Sequence, residues 1–219
     1  MDTVVLDIDG TLLDSTYLHA TAWSRAFQAH GVHPPLWRIH RAIGMGGDRL
    51  VAAVAGDEVE KRAGDGIRDR WEQEYDAVID QTRLLDGAAL LLDACRERGL
   101  AVALASSSIP KHARYALDLV DAQRRAHGWT TADDAEESKP DPELIDAALE
   151  RVGGGAAVVI GDTVWDVQAA RRAGLPAICL LSGGISRGEL EEAGAVAVYE
   201  DPCDLLRHLD EALTLADRA

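Results

Sequence analysis

The sequence predicts an α/β fold in which a parallel sheet carries helices on both faces and is interrupted by an inserted all-helical subdomain. Three observations predict it. Five short segments, residues 4–8, 100–105, 157–160, 177–181 and 195–199, are nearly continuous in Val, Ile, Leu and Ala. Alternation is missing from them, which suits strands covered on both faces. Helical patterns separate the later segments, and a long helical stretch follows the first one.

Each pattern has its own punctuation. Residues 87–98 carry Leu90, Leu91 and Ala94 and stop at Gly99, and residues 110–120 begin at Pro110 after a run of serines. Residues 142–152 stop at Gly153, and residues 164–173 stop at Gly174. Glycine just past the last turn and proline at the first are helix-end signals. Strands alternating with such helices give a Rossmann-like parallel sheet. The stretch from Ser15 to Arg83 breaks that rhythm. One helical pattern, residues 17–30, ends at Gly31, and another, residues 57–80, sets Val59, Ala63, Ile67, Trp71, Tyr75 and Val78 at helical spacing. A block of this length is no ordinary crossover. The sequence is therefore divided into a core of residues 1–14 and 84–219 and a helical insert of residues 15–83.

Composition narrows the function classes. Hydrophobic residues make up 47% and charged residues 27%, and the formal net charge is −16. That charge repels nucleic acid and anionic membrane surfaces, so neither is expected as a partner. No apolar run reaches the length of about 20 residues that crosses a bilayer. The start resembles no signal peptide, which makes a cytoplasmic location the expectation. Cys95, Cys179 and Cys203 show no metal-ligand spacing and are expected to be reduced. A monomer is the default expectation.

Ligands of open α/β sheets bind outside the carboxyl ends of the strands. The first strand delivers Asp7, Asp9 and Thr11; the second delivers Ser106, Ser107 and Ser108; the third delivers Gly161, Asp162 and Thr163, with Asp166 a helical turn later. Lys139 opens a helix expected to start near Pro140. Carboxylates gathered at the edge of a core repel one another and lose hydration. A divalent cation removes that cost, and a set of hard oxygens is what Mg²⁺ takes. The same ion would draw a phosphate ester to an anionic protein. Read singly, these residues have duller explanations: Asp9-Gly10 as a turn, Ser108 as a helix cap, Lys139 as an exposed loop residue, and Asp133 and Asp134 as solvated loop acids.

Taken in order, Asp7-Ile-Asp-Gly-Thr-Leu, Ala105-Ser106-Ser107, Ser138-Lys139-Pro140 and Gly161-Asp162-Thr163 with Asp166 resemble the four motifs of the haloacid dehalogenase-like superfamily. The helical insert resembles the cap of its phosphoglycolate phosphatase and β-phosphoglucomutase-like branch. The resemblance implies a Mg²⁺-dependent phosphatase acting on a small phosphorylated metabolite. Asp7 would be the nucleophile that forms an aspartyl-phosphate, and Asp9 the general acid and base. Asp7, the Asp9 backbone carbonyl and Asp162 would hold the metal, with Asp166 binding it or orienting its waters. Thr11, Ser106, Ser107 and Lys139 would hold the phosphoryl group.

In the insert, His19 is either a packed residue or one that reaches the substrate, and Trp23 is expected in the core. The glycine-dense segment 41–49, with Arg41, Gly46, Gly47 and Arg49, resembles the cap loop that contacts substrate in this branch. A β-phosphoglucomutase-like mutase is the alternative within the enzyme class. The arginine that grips the distal phosphate in such mutases would fall near Gly46 or Gly47, which favours hydrolysis. A non-catalytic module switched by phosphorylation of an aspartate is the alternative of another class. It leaves both the helical insert and the second carboxylate unexplained.

Overall fold

The computed structural model describes all 219 residues, and the chain divides into two compact units, Met1–Asp14 with Arg83–Ala219, and Ser15–Thr82. In the first unit the strands are β1 (Thr3–Leu6), β2 (Leu13–Asp14), β3 (Arg83–Leu84), β4 (Ala101–Ala105), β5 (Gly128–Thr130), β6 (Ala157–Gly161), β7 (Ala177–Leu180) and β8 (Ala197–Tyr199). Six of them form one sheet in the order β5-β4-β1-β6-β7-β8, and every pairing in it is parallel. The expected parallel α/β architecture is thus present. β2 and β3 pair antiparallel, Leu13 with Leu84 and Asp14 with Arg83, and through this ribbon the chain leaves and re-enters the first unit.

Alternating side chains of the central strands enter two separate cores. Val4, Leu6, Val102, Leu104, Val158 and Ile160 share one, and Val5, Ala103, Ala105 and Val159 share the other. Full burial of each Val or Leu contributes about 1.5–3 kcal/mol, so strands covered twice hold the sheet's centre most firmly. β5 was not foreseen, because it spans only three residues around the single large apolar side chain of Trp129. Arg151 donates to the Trp129 carbonyl and to Asp134, which occupies part of this open edge.

The helical unit, Ser15–Thr82, holds α1 (Thr16–Ala29), α2 (Leu36–His40), α3 (Gly47–Ala55) and α4 (Asp57–Asp76). Trp23 of α1 stacks on Trp71 of α4 at a centroid distance of 4.8 Å and meets Phe27 at 6.1 Å. The pattern expected to run to residue 80 stops at Asp76, followed by a single 3₁₀ turn, Ile79–Gln81. Segment 41–49 is likewise only partly a loop. Gly46 occupies the N-cap position of α3 in extended backbone, and Gly47 and Arg49 lie in its first turn. The amphipathic run Leu50, Val51 and Val54 buries that helix.

The remaining helices belong to the first unit: α5 (Ala88–Glu97), α6 (Pro110–Leu119), α7 (Ala122–Arg125), α8 (Glu143–Val152), α9 (Val164–Arg172), α10 (Arg187–Ala193), α11 (Pro202–Arg207) and α12 (Leu209–Ala216). α8 begins at Glu143 rather than near Pro140, so Lys139 belongs to the loop before it. No helix is long and apolar enough to cross a membrane.

Candidate active site

β1 lies between β4 and β6, with Leu6 level with Leu104 on one side and Ile160 on the other. Strand order reverses at β1, with β4 and β5 on one side and β6, β7 and β8 on the other, and in such sheets the crevice at the strand ends is where ligands sit. Asp7 continues β1, its amide donating to the Ile160 carbonyl at 2.9 Å. The chain then closes a tight turn, with Gly10 N–H donating to the Leu13 carbonyl at 2.8 Å and Leu12 N–H to that of Ile8 at 2.9 Å. Gly10 has a φ of 85°, a conformation a residue with a side chain reaches only under strain.

Asp7, Asp162 and Asp166 are buried together, with Lys139, 2% exposed, as the ammonium among them. Lys139 Nζ donates to Asp7 Oδ1 and lies 2.7 Å from Asp166 Oδ1. An exposed loop lysine was the duller reading of the sequence; Lys139 does lie in a loop, but burial between two carboxylates overturns the exposure. Desolvation works against the Lys139 charge, but Asp166 and Asp7 outweigh it and hold the ammonium more firmly protonated than an ordinary lysine. Burial pushes the Asp7 carboxyl up to about 7, against the pull of Lys139. Asp162 is also raised, by desolvation first and then by Asp166 and Asp7. Three carboxyl groups thus share one ammonium, and two of them are held toward the protonated form for want of a second cation.

Neighbouring groups orient the carboxylates. Thr11 Oγ1 donates to Asp162 Oδ1 at 2.8 Å and is fully buried. Its hydroxyl therefore supports a carboxylate of the same site. Asp166 Oδ2 accepts from Thr163 N–H at 3.0 Å and from Thr163 Oγ1 at 2.6 Å, closing a capping box at the start of α9. With its other oxygen beside Lys139, Asp166 serves as helix cap and counter-ion. The Cys179 thiol nearby is held protonated by burial and by the two acids.

Three serines follow β4. Ser106 is buried and its Oγ accepts from Ser108 N–H at 3.1 Å, keeping its own proton for donation. Ser107 Oγ is buried with no hydrogen-bond partner. Ser108 does not cap α6, where Ile109 holds that position; its Oγ donates to Asp9 Oδ2 at 3.0 Å. Sequence reading missed this contact, since a serine before Ile-Pro looks like a cap. Asp134, expected to be solvated, makes a capping box with Thr131. The loop carrying Lys139 is held from α9, where Arg172 donates to the Pro140 carbonyl at 2.9 Å.

The remaining candidates lie in the helical unit. His19 is buried and stacks on Tyr75 at 3.8 Å between centroids, so within its own unit it is a packed residue. Gly47 accepts from Arg68 through its carbonyl at 3.1 Å, and a Cβ on it would meet the Trp23 ring at 3.4 Å. Arg49 pairs with Asp48 at 3.8 Å. Arg41, at the end of α2, is exposed.

The donor chemistry fits a hard divalent cation. Asp162 Oδ2 is a buried oxygen with no hydrogen-bond partner, and the surrounding charge is negative. A buried acceptor in that condition costs about 1–3 kcal/mol unless a ligand meets it. No three acidic, histidine or cysteine side chains converge to hold an ion by themselves. An ion here would draw on fewer carboxylates and complete its shell with backbone carbonyl and water, as Mg²⁺ commonly does.

The parallel sheet thus carries an acidic, lysine-bearing centre at its carboxyl edge, the place where α/β enzymes bind their ligands. Residues 1–174 match the haloacid dehalogenase-like hydrolases, and the chain belongs to that family. It is 33% identical to a phosphoglycolate phosphatase of Xylella fastidiosa (strain 9a5c) over 185 residues, 83% of this chain and 80% of the relative. It is 29% identical to an N-acetylmuramic acid 6-phosphate phosphatase of Pseudomonas aeruginosa, over 97% of this chain and 96% of that one. A crystal structure of a hydrolase from Pseudomonas syringae superposes with a TM-score of 0.91 at 37% identity, covering 96% of this chain and 99% of that one. The chain is an enzyme of the hydrolase class, and both of these curated relatives are phosphatases by name.

Proposed function

We propose that this protein is a Mg²⁺-dependent phosphatase that hydrolyses a small phosphorylated metabolite through an aspartyl-phosphate on Asp7. The observation that carries the reading is the buried group of Asp7, Asp162 and Asp166 around Lys139, in which Asp162 Oδ2 has no partner. Asp7, Asp162 and the Asp9 backbone carbonyl would hold the ion, which when bound offsets their charge and that of the phosphoryl oxygens. Asp7 attacks phosphorus in line and the P–O bond to the alcohol breaks. Asp9 gives its proton to the leaving oxygen, then takes one from the water that hydrolyses the acyl phosphate. Lys139 and the Ser106 hydroxyl hold the transferring oxygens, and Ser107 Oγ offers a further donor. Ser108 holds the Asp9 carboxylate in reach.

The helical unit is assigned the part of a cap that selects the ester. The phosphatase names of both curated relatives support a monoester of a small acid or sugar as substrate. The test is turnover of p-nitrophenyl phosphate, phosphoglycolate and a panel of sugar phosphates with Mg²⁺ and with EDTA. Metal-dependent release of phosphate is expected. A long-lived phosphoprotein without turnover would mark a switch module instead, and transfer to a second sugar position with a bisphosphate primer would mark a mutase.

A further inference from the structure

The turn after β7 reaches the site from a strand that none of the four motifs occupies. Ser182 Oγ donates to the Gly10 carbonyl at 2.6 Å. Gly183 is buried, and a Cβ built on it would lie 1.8 Å from Asp162 Oδ2. Both residues sit in one short turn, Leu181–Gly183, placed by the pairing of Cys179 in β7 with Gly161 in β6. The amide of Gly10 is already held by the Leu13 carbonyl, so Ser182 fixes the second of the two peptide planes that flank it. Gly10 has the widest backbone freedom in the turn that presents Asp9, and these two bonds remove it.

We propose that Ser182 and Gly183 are positioning residues for the reaction: Ser182 holds the Asp9-Gly10-Thr11 turn through Gly10, and Gly183 leaves the space in which Asp162 keeps an oxygen open to the metal. The inference rests on the phosphatase reading. Asp162 cannot swing aside from an added methyl, because Thr11 holds its other oxygen and the residue is fully buried. Groups that orient a metal-binding carboxylate commonly change affinity or activity by about 10–100-fold when altered.

The experiment compares wild type with Ser182→Ala, Ser182→Thr, Gly183→Ala and the control Gly188→Ala, whose added Cβ would meet nothing within 4 Å. Mg²⁺ binding to EDTA-treated protein is measured by titration calorimetry, beside melting temperature and the kcat and KM for p-nitrophenyl phosphate. Gly183→Ala is expected to weaken Mg²⁺ binding by about 10-fold or more with the fold retained. Ser182→Ala is expected to lower kcat by about 10-fold at unchanged KM and melting temperature, with Ser182→Thr restoring it. Gly188→Ala should match wild type. Wild-type kcat in Ser182→Ala, or wild-type Mg²⁺ affinity in a folded Gly183→Ala, overturns the proposal while the phosphatase reading stands. Should Gly183→Ala fail to fold, Ser182→Ala decides alone. A wild-type protein that neither binds Mg²⁺ nor turns over refutes the phosphatase reading and this inference with it.

Discussion

Lys139 Nζ lies between the carboxylates of Asp7 and Asp166, 2.7 Å from the second, although the residues come from a strand end, a loop and a helix that are far apart in the chain. The pair of acids keeps the ammonium charged in a buried place, and the ammonium in turn lets at least one acid ionise. Activity and stability therefore meet at this contact.

Replacing Lys139 with methionine leaves two buried acids without their cation. Removing one partner of a buried pair costs about 3–5 kcal/mol. Urea unfolding of Lys139→Met in EDTA should show a loss of that order, and phosphatase activity should fall to background. A stability change below about 1 kcal/mol would show that the contact is not held in solution.

Asp7→Asn keeps the size of the side chain and removes the nucleophile. Turnover of p-nitrophenyl phosphate should disappear while the circular dichroism spectrum stays that of the folded protein, because Asp166 still pairs with Lys139. Turnover at the wild-type rate would refute the assignment of Asp7.

The pH dependence follows from the direction of the Asp7 shift. Its carboxyl rises from an ordinary value of 3.8 to about 7 in the folded protein. The folded state then binds the proton more tightly than the unfolded chain, so the stability linked to this group is full below 3.8 and declines as pH rises to about 7. Metal binding needs the ionised form and reverses that decline. Mg²⁺ should therefore raise the melting temperature more at about pH 8 than at about pH 5, relative to EDTA. Equal shifts at both values would contradict the linkage.

Thr11→Val keeps the shape of the side chain but strips Asp162 Oδ1 of its donor. Loss of a partner for a buried acceptor costs about 1–3 kcal/mol. The variant should bind Mg²⁺ about 10–100-fold more weakly by calorimetry. Unchanged affinity would remove Thr11 from the support of the site.

Asp7, Ser106 and Asp162 could be nominated from the sequence because each follows a short apolar segment, and a parallel sheet brings such exits to one edge. Thr163-Val-Trp-Asp166 also carries the spacing of a capping box. The same rule applied to the exit of residues 177–181 would have reached Ser182 and Gly183. The partners of Ser108 and Thr11 were not legible for a different reason. A hydroxyl's partner depends on which distant carboxylate the fold brings within about 3 Å, and no local pattern encodes that.

Sequence alone determined the parallel α/β core, the acids at its strand ends and the helical insert, because apolar runs and helix periodicity are local and repeat over many residues. Tertiary structure decided which carboxylate each cation and hydroxyl serves. Lys139 became a buried counter-ion, Thr11 a support for Asp162, and Asp166 both a helix cap and an ion-pair partner. Those assignments depend on contacts between residues up to 151 positions apart, and only the packed sheet brings them together.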